Sequence, residues 1–178
     1  GYNVVGLDLS ESLIRYGRRK FPRCRFVIGD MRYIPGTFDT ILSLFTSFGY
    51  FEADAENQRT LDAVAAALCP GGRFWMDYLN PGFVRARLRP SEHRRLDTGA
   101  EVRIHRRIED QSVVKDILFR SRGTEQPYQE RVKLYGLSEL KTMFAEAGIV
   151  PDGVFGDYSG GEWHSESPRT IVYGTAEQ

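Results

Sequence analysis

The chain has 178 residues, with 24 Lys plus Arg balanced by 24 Asp plus Glu, for a formal net charge of zero. That length can bury a real core in one domain, and the balance exerts no global pull toward nucleic acid or an anionic membrane. No apolar run approaches bilayer-spanning length, and Cys24 and Cys69 have no metal-ligand spacing, which points to a reduced, cytoplasmic protein.

Residues 1–80 alternate between strand and helix patterns. Val4–Asp8 reads as a buried parallel strand that ends on an acid. Ser10 then caps a helix in which Leu13, Ile14 and Gly17 share a face, and Arg18-Arg19-Lys20 suit its C-terminal end. Arg25–Ile28 is a second short strand, closed by Gly29-Asp30, and Phe38–Phe45 is a third. Asp54 is placed to cap the next helix, where Leu61, Val64, Ala65 and Leu68 recur at helical spacing. Pro70-Gly71-Gly72 stops that helix, and Arg73–Tyr78 is a fourth strand.

Residues 81–135 change character. Glu101–Ile108 alternates, with Val102, Ile104 and Ile108 on one side and Glu101, Arg103, His105 and Arg107 on the other; Arg106 breaks the pattern. Val113–Arg120 and Tyr128–Tyr135 are also β-rich, punctuated by Gly123 and Pro127. This predicts a small antiparallel sheet inserted as a lid over the α/β domain. The arginines here (Arg85, Arg87, Arg89, Arg94, Arg95, Arg103, Arg106 and Arg107) fit either an anionic acceptor or a salt-bridged surface; the interleaved acids favour the surface. The α/β pattern then resumes. Ser138 is expected to cap a helix carrying Leu140, Phe144 and Ala147, which Gly148 ends, and Val154–Tyr158 and Thr170–Tyr173 are closing strands. The expected architecture is thus a Rossmann-like α/β sheet, mostly parallel, from 1–80 and 136–178, with 81–135 inserted.

Three features fall at strand ends, the edge on which open α/β sheets bind ligands. Asp8 is an acid suited to two ribose hydroxyls, although an ordinary cap has the same spelling. In Gly29-Asp30-Met31 the glycine allows close approach, the acid can accept from an exocyclic amine, and the methionine can cover a purine; a turn acid reads the same way. The run Leu44-Phe45-Thr46-Ser47-Phe48-Gly49-Tyr50-Phe51 is too apolar for a plain surface loop. Tyr50, Asn80 and Tyr135 are candidates to line an acceptor pocket. His93, His105 and His164 are scattered, and neither a catalytic triad nor a metal cluster is visible.

Gly-Leu-Asp-Leu-Ser, Gly-Asp-Met-Arg, Phe-Asp-Thr-Ile-Leu-Ser-Leu-Phe, Cys-Pro-Gly-Gly-Arg-Phe and Gly-Leu-Ser-Glu-Leu together resemble the class I S-adenosylmethionine-dependent methyltransferases, small-molecule branch. The resemblance extends to Ser167–Val172, a strand that tends to be antiparallel in such proteins. It implies S-adenosyl-L-methionine as cofactor. Asp8 would hold the ribose, Leu9 would pack beside the adenine, and Asp30 would take its amine with Gly29 and Met31 at the ring. Leu44, Phe45 and Tyr50 would border the methionine moiety and methyl group. It also implies a small-molecule acceptor, with nucleic acid disfavoured because the loop lacks an Asp/Asn-Pro-Pro-aromatic signature, and it is compatible with a homodimer. The family's first strand and glycine-rich loop have no counterpart before Val4. A βα unit of about 30 residues or more is therefore expected upstream or from another chain. Two other classes are compatible with the ribose-binding acid: a nicotinamide-dependent oxidoreductase and an inactive methyltransferase-like partner subunit.

Overall fold

A computed structural model describes residues 1–177. In chain order the elements are β1 (Val5–Asp8), α1 (Glu11–Lys20), β2 (Arg25–Ile28), β3 (Phe38–Ser43), α2 (Asp54–Ala67), β4 (Leu68–Leu79), α3 (Pro81–Arg87), β5 (Ser91–Arg95), β6 (Glu101–Glu109), β7 (Ser112–Ser121), β8 (Thr124–Lys133), α4 (Leu137–Glu146), β9 (Ile149–Phe155) and β10 (Arg169–Ala176).

β1 and β2 pair in parallel, from Val5 opposite Arg25 to Asp8 opposite Ile28. α1 crosses between them, started by Ser10, whose hydroxyl accepts from the Leu13 N–H at 3.4 Å. Gly6 and Gly17 are needed for this packing: a Cβ on either would meet the Phe26 ring at 2.8 Å. A separate four-stranded sheet has the order β3-β4-β10-β9. β3 and β4 are parallel, whereas β10 is antiparallel to both β4 and β9. The third sheet, β5-β6-β7-β8, is antiparallel throughout.

The antiparallel last strand is as expected, since β10 alone opposes β3, β4 and β9, but the expected single α/β sheet is divided. Its strands fall into two sheets, and β1 and β3 each have a neighbour on one side only. Parallel and antiparallel pairings are equal in number there, because β10 runs antiparallel to both its neighbours. Several element ends also move. β4 begins at Leu68, not Arg73. Pro70–Gly72 loops out as a bulge, so that Phe38 faces Leu68 but Thr40 already faces Arg73. β3 stops at Ser43 because the backbone turns left-handed at Phe45 and Thr46. The N-caps are Ala53 and Gly136 rather than Asp54 and Ser138; at Gly136 the Glu139 carboxylate accepts from the backbone N–H at 2.6 Å. α3 and β5 had no clear periodic signal. Pro127 sits within β8, an edge strand, where its missing N–H leaves no gap inside the sheet.

The main core lies between β3-β4-β10-β9 and the helices α2 and α4. Leu61, Phe74, Met76, Leu140, Phe144, Ile149 and Val172 are buried in it, and the Phe74 and Phe144 rings meet at 5.2 Å. The inserted sheet is tied to this body at its base. The Lys133 N–H donates to the Gly49 carbonyl at 2.9 Å, and the Tyr78 hydroxyl donates to the Lys133 carbonyl. Phe48, Tyr78 and Tyr135 cluster beneath that junction, with ring centroids 6.0 to 6.3 Å apart.

Candidate active site

The site is built on the strand ends, where parallel strands leave unpaired backbone groups and loops are free to vary. Asp8 closes β1, and Asp30 lies two residues past the end of β2. The Gly29 N–H donates to the Asp8 carbonyl at 3.0 Å, so the two carboxylates occupy adjacent strand termini. Asp8 is exposed. One of its oxygens accepts from the Ser10 N–H at 2.7 Å, and the other has no partner among the described residues. Its role as a local cap and its availability to a ligand therefore coexist. Leu9 beside it is 63% exposed, an apolar side chain with nothing to cover it.

Gly29 lies against Leu7, whose Cδ1 would be 2.7 Å from an added Cβ, so the backbone at this turn is closely packed. Asp30 is only partly exposed, and its carboxylate is gripped by Arg32. The Arg32 Nη2 donates to Oδ2 at 2.5 Å, and its backbone N–H donates to Oδ1 at 2.9 Å. Those hydrogen bonds hold the Asp30 carboxyl below the usual carboxylate range. Arg32 also pairs with Glu56 at the start of α2, and its guanidinium lies 4.3 Å from the centre of the Phe51 ring. Arg59 donates to both Glu56 and the Tyr33 hydroxyl. This network joins the β2 end, the 44–51 loop and α2. The spelling Gly-Asp-Met-Arg contained the pair; its reach to Glu56 and Phe51 is tertiary. Met31 beside it is half-buried.

The loop after β3 carries the third group. Leu44 is 42% and Phe45 78% exposed, whereas Phe48 is 1% exposed and anchors the loop in the core. Tyr50 is 44% exposed; desolvation and the nearby Glu130 carboxylate push its hydroxyl pKa up. Tyr135 and Asn80 are placed differently. The Tyr135 hydroxyl donates to Asp54 at 2.6 Å and accepts from Asn57 at 3.0 Å; it belongs to a buried network. Asn80 is 2% exposed; its amide donates to the His164 and Ser167 carbonyls, and its oxygen caps α3 by accepting from the Gly82 N–H. Asn80 thereby holds elements together, whereas Tyr135, though 8% exposed, also lines an open cavity with Asp54, Gln58 and Met143.

One buried polar neighbourhood was missed from the sequence. Asp77, near the end of β4, is 2% exposed and receives hydrogen bonds from Arg169, Tyr158 and the Phe45 backbone. Its sequence signal was an acid inside an otherwise apolar strand, Phe74-Trp75-Met76-Asp77-Tyr78. In the inserted sheet, Arg94 and Arg106 pair with Glu92, Arg107 with Glu109 and Asp116, and Arg131 with Glu109. That is a salt-bridged surface. Among the described residues, no group of acids, histidines and cysteines is arranged to hold a metal, and no helix is long and apolar enough to cross a membrane.

Residues 1–72 match the family described as a methyltransferase domain. A dTDP-3-amino-3,4,6-trideoxy-alpha-D-glucopyranose N,N-dimethyltransferase from Streptomyces venezuelae is 32% identical over 72 residues, spanning 39% of this chain and 30% of that protein. The matched segment is thus under a third of that relative's length. Among solved structures, an S-adenosylmethionine-dependent methyltransferase from Clostridium acetobutylicum superposes with a TM-score of 0.85 at 17% identity, covering 99% of this chain and 76% of its own. The CcbJ methyltransferase from Streptomyces caelestis gives 0.83 at 18% identity, covering 100% and 76%. The sugar N-methyltransferase KedS8 from Streptoalloteichus gives 0.76 at 19% identity, covering 98% and 71%.

Proposed function

We propose that this chain, which shares its fold with S-adenosylmethionine-dependent methyltransferases and whose residues 1–72 match a methyltransferase domain, binds S-adenosyl-L-methionine and transfers its methyl group to a small molecule. The observation that carries this is the pair of carboxylates at adjacent termini, Asp8 with a free oxygen and Asp30 beside it. The residues suit the group: the free oxygen faces solvent as a diol acceptor, and the flanking Leu9 and Met31 offer apolar surface to a flat ring. When bound, the cofactor supplies an already activated methyl on a sulfonium sulfur.

The protein's own work is therefore positioning and exclusion of water. Asp8 would hold the ribose hydroxyls. Asp30, oriented by Arg32, would meet the adenine amine at its edge, with Gly29 allowing approach and Met31 covering the ring. Leu44, Phe45 and Tyr50 would wall the reacting end. The α/β part, 1–80 and 136–178, is in this reading the cofactor domain, and 81–135 is a lid that shapes acceptor choice. The single-sided edges of β1 and β3 would each accept one more parallel strand, from this protein or another chain. A cytoplasmic location and a homodimer are compatible with the same reading.

Titration calorimetry of the full-length protein tests it. Micromolar binding of S-adenosyl-L-methionine, without binding of NAD, is expected. Binding of NAD alone would favour an oxidoreductase, and binding of neither would favour an inactive partner subunit.

A further inference from the structure

Phe45 and Thr46 have backbone φ of 55° and 63°, two consecutive non-glycine residues in the left-handed region. Each such residue costs on the order of 1–2 kcal/mol, and a β-branched threonine is among the least tolerant. The turn also presents the Phe45 ring 78% exposed, so it gains no burial for the strain.

The strain is held by one buried residue. The Asp77 Oδ2 accepts from the Phe45 N–H at 2.8 Å, and the Asp77 carbonyl accepts from the Thr46 N–H at 3.0 Å. Both amides of the turn are therefore taken by the same amino acid. Arg169, at the start of β10, donates from Nε to the Asp77 Oδ1 at 2.6 Å and from Nη2 to the Thr46 hydroxyl at 2.7 Å. The Tyr158 hydroxyl donates to Oδ2 at 2.8 Å. A buried carboxylate with a paired arginine is expensive to assemble and is retained where it specifies geometry.

Resting on the methyltransferase reading, we infer that Asp77 and Arg169 are positioning residues: they lock the turn after β3 so that the Phe45 ring is held as a rigid wall of the cofactor's reactive end. Neither residue touches the cofactor. They act through the Phe45–Thr46 backbone, and the antiparallel strand β10 thereby contributes to a site otherwise built on parallel strand ends.

The test uses the full-length protein and S-adenosyl-L-methionine itself, with no acceptor required. Phe45→Ala removes an exposed ring, so its melting temperature should stay within about 1 °C of the parent. Its Kd should rise about tenfold, as for a lost apolar wall. In Phe45→Trp, the emission of the introduced indole should shift on saturation, and that shift should be lost when Arg169→Met is added. Arg169→Lys, which keeps a cation, should recover part of it. Normal binding by the parent with an unchanged Kd in Phe45→Ala, or the same emission shift with and without Arg169→Met, would overturn the inference and leave the cofactor reading intact. Failure of the parent to bind would instead sink the cofactor reading. Should Arg169→Met not fold, Arg169→Lys in the Phe45→Trp background decides instead: a reduced emission shift supports the inference, and a shift equal to that of Phe45→Trp alone would overturn it.

Discussion

Replacing Asp8 with Ala should weaken S-adenosyl-L-methionine binding by about 2–4 kcal/mol, or about 30- to 1,000-fold in Kd. One carboxylate oxygen is committed to the Ser10 N–H at 2.7 Å, so the ribose would be held by the other oxygen and the remaining lone pair. Two charge-assisted hydrogen bonds are worth about 1.5–3 kcal/mol each, but the carboxylate is exposed, and water satisfies it when the ligand is absent. The net loss therefore falls below the simple sum. Asp8→Asn separates the two roles. Its amide oxygen still accepts from Ser10, while the charge is gone, so about half the binding loss is expected and almost none of the capping loss. The Ala variant alone should lose stability at the start of α1, by about 0.5–1 kcal/mol. Calorimetric titration gives the Kd values, and thermal melts of the same samples give the stability. A folded Asp8→Ala protein that binds within twofold of the parent would show that Asp8 is only a cap, and the adenosine assignment would fall with it.

Arg32→Met should free Asp30 from its clamp and loosen the loop at Phe51, lowering cofactor affinity by about three- to tenfold; Arg32→Lys, with a cation but no fork, should fall between the two in the same titration. Asn57→Ala should destabilise by about 2–4 kcal/mol in a urea melt, because Asn57 is fully buried and its removal strands the Phe51 backbone N–H and C=O and takes one partner from the Tyr135 hydroxyl. Gly49→Ala should lower the melting temperature by several degrees, since the residue has φ of 87° and an added Cβ would lie 2.6 Å from the Tyr78 hydroxyl. Asp54 has its pKa lowered from 3.8, first by the Tyr135 hydroxyl and then by Lys133. Its stabilisation is therefore complete above the unfolded value and is lost as pH falls through the folded one. The melting-temperature gap between the parent and Asp54→Asn should be constant from about pH 6 to pH 5 and close below about pH 4.

Much of the α/β half was legible because its signals are local. An apolar run ending in Asp8, a serine cap with basic residues eight to ten positions on, and Leu61, Val64 and Leu140, Phe144 at helical spacing follow from backbone geometry and burial alone. The placement of Asp8 and Asp30 at strand ends was legible for the same reason: a carboxylate at a strand end is a statement about one residue and its neighbours. The alternation in Glu101–Ile108 likewise sufficed for an antiparallel sheet. The helix starts at Asp54 and Ser138 were misplaced by one to two residues because an acid or serine in the first turn has nearly the spelling of a cap, and only the backbone angles at Ala53 and Gly136 separate them.

What the amino-acid order by itself determined was most of the segments that form elements and the acids near the ends of β1 and β2. What only the tertiary structure decided was how those ends are used. Tyr135 and Asn80 read as pocket residues, and packing brings them hydrogen-bond partners 78 and 87 positions away that no local pattern announces. Asp77 and Arg169 lie 92 positions apart, and no local pattern couples them; β10 folding back beside β4 brings them to 2.6 Å, where together they hold a turn that its own sequence disfavours. Propensity acts over a few residues, whereas a buried charge must be matched by whatever the fold brings to it, and that partner is set by strand order and register.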